Sequence, residues 1–175
     1  HVVAMLHLLA GIEFYLAALA LSDKAKEASL EVCLPRFMAL GSKDERVLKG
    51  LFNPLLLGIV PKVVAGDLVT RRASCTVIVT GPNSGGKTRL LEAVALAQML
   101  GQSGFFVPAS EACLLPSRGL FVSLIEQAKA DQTEGRLGTE LLRIRDLFEA
   151  MRVGDMVILD ELCSGTNPSE GEEIF

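Results

Sequence analysis

Eight consecutive residues combine a pliable backbone with one cation and one hydroxyl. Gly81-Pro82-Asn83-Ser84-Gly85-Gly86-Lys87-Thr88 has the spacing G-x-x-x-x-G-K-[ST], the pattern of a phosphate-binding loop. Gly81, Gly85 and Gly86 allow tight turns, so that successive N–H groups converge on one anion. A helix opening near Lys87 adds its unpaired N–H groups and the positive end of its dipole. Lys87 would set a point charge against the β- and γ-phosphates of a nucleotide, and Thr88 would offer its hydroxyl to Mg²⁺. The whole stretch 81–88, Pro82, Asn83 and Ser84 included, is therefore the candidate nucleotide-binding segment.

A second cluster completes the chemistry. Met156-Val157-Ile158-Leu159-Asp160-Glu161 is four apolar residues ending in two carboxylates. In phosphate-loop nucleotidases the Asp at such a strand end holds Mg²⁺, directly or through water. An adjacent Glu can orient and deprotonate the attacking water. Asp160 and Thr88 are thus the metal residues, and Glu161 with Lys87 the catalytic ones. A glycine-rich turn with a chance lysine, or a strand end with two solvated acids, would each be a bland account of one motif. Together the two motifs require each other.

The surrounding sequence must place these groups. Cys75–Thr80 is short, apolar and rich in β-branched residues, which predicts a buried strand. Apolar residues at 90, 91, 94, 95, 97 and 99 predict a helix over 89–100, stopped by Gly101. Residues 104–107 read as a short strand or turn ended by Pro108, and 119–124 as a strand. Residues 125–137 are polar and read as a helix edge and loop. Thr139 to Arg152 is amphipathic, with Leu141, Leu142, Ile144, Leu147, Phe148 and Met151 toward the core. Upstream, Ser42-Lys43-Asp44-Glu45 has the form of a capping box opening a helix to about Lys49. Phe52-Asn53-Pro54-Leu55-Leu56 leads into irregular or strand structure. Val63-Val64 and Leu68-Val69 are candidate strands about a Gly66-Asp67 turn.

Composition narrows the classes. The chain has 175 residues, half of them apolar and 22% charged, which argues against disorder. A net charge of −4 and a pI near 5.3 are not the footprint of a nucleic-acid-binding surface. Cys33, Cys75, Cys113 and Cys163 are scattered and His1 and His7 stand alone, so buried free thiols in a reducing, cytoplasmic compartment are expected rather than zinc. Val2–Leu21 is nearly all apolar, but Glu13 interrupts it, and a helix buried between protein layers is favoured over a membrane span. No basic residue precedes it, which disfavours a signal peptide. The chain begins without Met and ends inside an acidic stretch, and so reads as a fragment.

The blocks in order carry a family resemblance. The loop is followed by Met99-Leu100-Gly101-Gln102-Ser103-Gly104-Phe105-Phe106-Val107-Pro108-Ala109. The acidic strand continues as Leu162-Cys163-Ser164-Gly165-Thr166-Asn167-Pro168-Ser169-Glu170-Gly171. Over 76–110 and 156–171 the chain resembles the ATPase domain of the MutS family of mismatch-repair and recombination-control proteins. The Gly-Thr-Asn-Pro-Ser-Glu-Gly form is similar to the branch without a mismatch-reading domain, and Phe52–Leu56 is similar to the family's approach to this domain.

The resemblance implies an α/β phosphate-loop NTPase of the ABC type over 51–175, truncated at its C-terminus, with a helical segment over 1–50. It implies ATP and Mg²⁺ as cofactors and a head-to-tail homodimer. DNA would be bound through domains outside this chain, with a membrane partner unlikely. It further implies Asn83 near the γ-phosphate and Gln102 in a loop linking nucleotide to the rest of the protein. Gly165, Thr166 and Asn167 would lie near the dimer seam. Gly138 stands where the family's signature loop offers a serine to the partner's γ-phosphate, with Thr139 beside it as a substitute hydroxyl. Val63 stands near the position of an adenine-stacking aromatic. Readings kept beside this one are a non-hydrolysing nucleotide-dependent module, a membrane-coupled ABC ATPase (which lacks its Leu-Ser-Gly-Gly-Gln signature here) and a membrane-tethered MutS relative.

Overall fold

The computed structural model describes residues 2–39, 42, 44–71, 75–82, 84–124 and 136–160, with side chains undescribed at 2, 4 and 136–140. The chain divides into two compact units, His1–Pro116 and Ser117–Phe175.

The first unit opens with α1, Val2–Glu27. It is apolar on all sides, and most of it is exposed: Leu6, Leu8, Tyr15 and Leu16 are each more than half accessible. Only a narrow stripe of small side chains, Ala18, Ser22 and Ala25, is buried, and Phe14 meets Phe105 edge-on with ring centroids 3.8 Å apart. The expectation of a helix buried between protein layers is therefore not met within this chain. A stripe of small residues seats one side of a helix, and among the described residues no layer covers the remaining Leu, Met and Tyr side chains. The helix is long and apolar enough to cross a membrane by length and composition.

Four strands follow in the order β1-β4-β2-β3: β1 is Arg36–Phe37, β2 Arg46–Leu51, β3 Gly66–Thr70 and β4 Glu111–Leu114. β2 is central, antiparallel both to β3, pairing Val47 with Val69, and to β4, pairing Leu48 with Ala112. β1 runs parallel to β4. Leu48, Leu51, Phe52, Ala112 and Leu114 are almost fully buried around this sheet.

β2 corrects the helix expected to open at Ser42. The Ser42 hydroxyl does not cap a helix; it accepts the N–H of Asp44, two residues on, at 3.1 Å. Such a local turn competes with the helical start, and the Val47/Leu48/Leu51 side chains pair across a sheet instead. Within the segment read as helical, the helix occupies 2–27. Of the two strands expected about Gly66-Asp67, only the second forms, and it begins at Gly66 itself. Asp67 is spent on the sheet: its Oδ1 accepts the Gly50 N–H at 2.7 Å where β2 bulges.

The expected strand over 75–80 is also corrected. Residues 76–80 carry no strand assignment, and Val77 and Ile78 are 49% and 82% exposed. β-branched residues favour a strand only where a neighbour supplies the ladder, and among the described residues no strand ladder includes 76–80. After the glycine loop, α2 spans Lys87–Gln102 and buries Ala93, Val94, Ala95, Ala97 and Gln98. Its end is fixed by close packing. A Cβ on Gly101 would lie 2.9 Å from Leu114 Cδ1, 3.1 Å from Pro35 Cγ and 3.2 Å from Val107 Cγ2, so only glycine lets α2 approach β4 and the 33–35 segment this closely. The chain turns at 103–104, and Val107 is tied to Cys33 in an antiparallel bridge by a pair of backbone bonds of 2.8 and 3.2 Å. The thiol of Cys33 is pushed above its ordinary pKa, chiefly by burial. Cys113 is buried, whereas Cys75 is exposed, against the expectation of a buried thiol there.

The second unit has two parallel strands, β5 (Leu120–Ser123) and β6 (Met156–Leu159), in register from Leu120–Met156 to Ser123–Leu159. α3 spans Arg136–Ala150. Of its expected core positions, Ile144 is buried, Leu141 and Leu147 half-buried, and Leu142, Phe148 and Met151 exposed. The turn between α3 and β6 is locked by Asp155, whose carboxylate accepts the Arg152 N–H at 2.7 Å while its own N–H reaches the Arg152 carbonyl. Gly154 takes the left-handed conformation there, at φ 96°.

Candidate phosphate-loop site

The loop is built from its glycines outward. Gly86 is the N-cap of α2 in the left-handed conformation, φ 79° and ψ 18°, which any other residue would adopt at a cost of about 1 kcal/mol or more. Its carbonyl accepts the Leu90 N–H at 2.9 Å and so closes the first helical turn. Gly85 donates its N–H to the Pro82 carbonyl at 2.9 Å, and a Cβ at Gly85 would lie 3.0 Å from that same oxygen. The backbone thus folds back on itself between 82 and 85. Ser84, Gly85 and Gly86 are exposed, with Lys87 and Thr88 half-buried at the helix start.

The Lys87 side chain curls over this turn. Its ammonium donates to the Gly81 carbonyl at 2.8 Å and to the Pro82 carbonyl at 3.0 Å. Two main-chain oxygens therefore hold the cation above the loop, at the N-terminal end of α2. A fixed ammonium at a helix N-terminus fits the phosphate chain of a nucleotide.

A side-chain network braces the outer side of the same helical turn. Arg89 and Glu92 form an ion pair at 2.9 Å. Asn53, only 4% exposed, reaches that pair from the other side. Its amide donates to Glu92 Oε2 at 2.6 Å and to the Arg89 carbonyl at 3.3 Å, while its Oδ1 accepts the Leu55 N–H at 3.0 Å. Asn53 thereby caps the 3₁₀ turn Pro54–Leu56 and fastens it to α2. This residue was not among the expected site residues. An Asn directly before Pro is a recognisable turn signal, but nothing in the sequence says which helix the turn will hold.

In the second unit, Asp160 directly follows β6. Its N–H donates to the Ser123 carbonyl at 2.9 Å, extending the parallel ladder by one residue, and the residue is buried at 8% exposure. A carboxylate is thus fixed at the end of an apolar strand. Glu161, Asn83 and the stretch Gly165, Thr166 and Asn167 lie outside the described residues. Gly138 and Thr139 fall in the first turn of α3.

Gln102 stands apart from the loop. It is the last residue of α2, roughly 22 Å along the helix axis from Lys87. The resemblance put it in a loop linking the nucleotide to the rest of the protein; it is still part of the helix. Its Oε1 instead accepts the amide of Gln98, a buried side chain that also donates to the Leu115 carbonyl at 2.9 Å.

Comparison with known proteins places these features in one family. A family model described as MutS domain V matches residues 77–175, a span that includes the loop, α2, α3 and the acidic strand. The chain is 40% identical over 135 residues to a protein named Endonuclease MutS2 of Levilactobacillus brevis, aligning 74% of this chain and 16% of that protein. It is 35% identical over 156 residues to the Endonuclease MutS2 of Gemmatimonas aurantiaca, aligning 87% of the chain and 19% of the relative. With the protein of the same name from Bacillus cytotoxicus it shares 29% identity over 174 residues, covering 97% and 20%. The chain therefore spans about a fifth or less of the length of these curated relatives. It belongs to the MutS family, with the region of domain V at residues 77–175.

Proposed function

We propose that this chain is the ATP-binding and ATP-hydrolysing domain of a MutS-like DNA repair protein. It would act as an ABC-type phosphate-loop ATPase in a cytoplasmic, head-to-tail homodimer. The observation that carries this reading is the Lys87 ammonium seated on the Gly81 and Pro82 carbonyls at the start of α2. In the mechanism, the main chain at the start of α2 and the Lys87 ammonium bind and orient the phosphates. Thr88 and Asp160 are the residues assigned to Mg²⁺, which when bound supplies charge neutralisation at the phosphates. Glu161 takes a proton from the attacking water. Asn83 is assigned to the γ-phosphate. Closure of the dimer would be coupled to binding mismatched or branched DNA through parts of the longer polypeptide outside this chain.

One observation supports a second reading, a nucleotide-dependent dimerisation module with little hydrolysis. Gly138 stands where the signature serine would be, and the backbone of 136–140 is already helical, leaving Thr139 as the nearest hydroxyl in sequence. Turnover by the full-length protein, with and without branched, mismatched or perfectly paired DNA, separates the two. The first reading expects hydrolysis stimulated by one of the DNA forms. Tight MgATP binding with no turnover under any of them selects the second.

A further inference from the structure

We infer that Asn53 is a positioning residue for the phosphate loop, acting through the Glu92–Arg89 pair on the first turn of α2. The inference rests on the phosphate-binding reading of 81–88 for its functional consequence, and on geometry alone for its structural one. Asn53 is buried and three of its four side-chain hydrogen-bonding directions are used: two donors on α2, one acceptor on its own turn. The orientation of its amide is fixed, because the oxygen must face the Leu55 N–H and the nitrogen the Glu92 carboxylate. The residue begins the turn that directly follows β2, whose Leu48 and Leu51 are core residues of the sheet. It therefore joins the rigid sheet to the helix that presents Lys87 and Thr88. Its contacts fall on Arg89 and Glu92, one and four residues beyond Thr88, so any shift of this turn is delivered to the loop.

The chemistry allows a polarity-reversal test. In Asn53→Asp the Leu55 N–H keeps its acceptor, but two carboxylates now face each other where an amide met Glu92. One of them must bind a proton to restore the bond, so the defect is largest at high pH and fades as pH falls. In the double variant Asn53→Asp/Glu92→Gln the donor and acceptor of the 53–92 bond exchange sides, and only the longer 3.3 Å bond to the Arg89 carbonyl is lost. Amide hydrogen exchange at 84–90 in the nucleotide-free chain reads the positioning directly, and titration with a fluorescent ATP analogue and Mg²⁺ reads its consequence. At pH 8, Asn53→Asp is expected to speed exchange at 84–90 at least tenfold and to weaken binding of the analogue by about the same factor. Both return to within about threefold of wild type at pH 5.5, and in the double variant at either pH.

Unchanged exchange at 84–90 in Asn53→Asp, or a double variant as defective as the single one, overturns the inference. Faster exchange in Asn53→Asp with rescue in the double variant, in a wild-type chain that binds no analogue, leaves the positioning role standing and refutes the phosphate reading instead.

Discussion

Replacing Lys87 by Ala is expected to abolish nucleotide binding, with no saturation up to millimolar MgATP. The side chain does two things at once. It supplies the only formal positive charge within 81–88, and it neutralises the Gly81 and Pro82 carbonyl oxygens that it bonds at 2.8 and 3.0 Å. Removing it takes away a charge-assisted bond worth about 1.5–3 kcal/mol. It also leaves two carbonyl dipoles turned toward an anion. Either effect alone lowers affinity by roughly tenfold or more, and together they move a modest site out of measurable range. Calorimetric titration against wild type, with circular dichroism as the folding control, reads the result. Wild-type affinity in Lys87→Ala would mean that 81–88 is a structural turn.

The second large effect concerns turnover. Glu161→Gln keeps the shape and most of the hydrogen bonding of the side chain but removes its basicity. The variant is expected to bind MgATP as wild type does and to lose hydrolysis in the assembled dimer by about 10²–10⁴-fold, the usual contribution of a positioned general base. Single-turnover phosphate release distinguishes this from slow product loss. A wild-type rate in Glu161→Gln would reassign the base and leave Asp160, fixed at the end of β6, with a purely electrostatic part.

The two chemical motifs were legible because each is local. A glycine spacing followed by a helical apolar period, and an apolar run ending in Asp160, need only a few consecutive residues to be recognised. α2 and β6 accordingly form where expected, α2 about one turn longer than its apolar period because Lys87 and Thr88 already lie in the helix and it runs on through Gly101 and Gln102. The sheet of the first unit was not legible for the opposite reason. β2 sits in a stretch of helix-compatible charged residues, and its identity depends on Val69 and Ala112, far away in sequence. β4, reading Glu-Ala-Cys-Leu, has no β-branched residue to announce it. α1 was recognisable as a helix, yet its uniformly apolar surface has no period from which to read a buried side. Gln102 shows a different failure. Its place just after Leu100-Gly101 suggested a loop, but α2 continues through Gly101, and the residue ends about four turns of helix from Lys87.

Asn53 lies between these cases. The turn it starts is written in Asn-Pro, whereas its hold on Glu92 and Arg89 is a tertiary fact. A buried amide that bonds two elements at once is worth more in geometry than in energy. It fixes one arrangement of β2 and α2 out of many that would bury the same apolar surface.

The central claim is that MgATP sits on residues 81–88. Hydrogen exchange of the wild-type chain at saturating MgATP, resolved to single amides, tests it most directly. The account predicts slowed exchange concentrated at 84–88, absent in Lys87→Ala. Unchanged exchange at 84–88, or equal protection in Lys87→Ala, would contradict it.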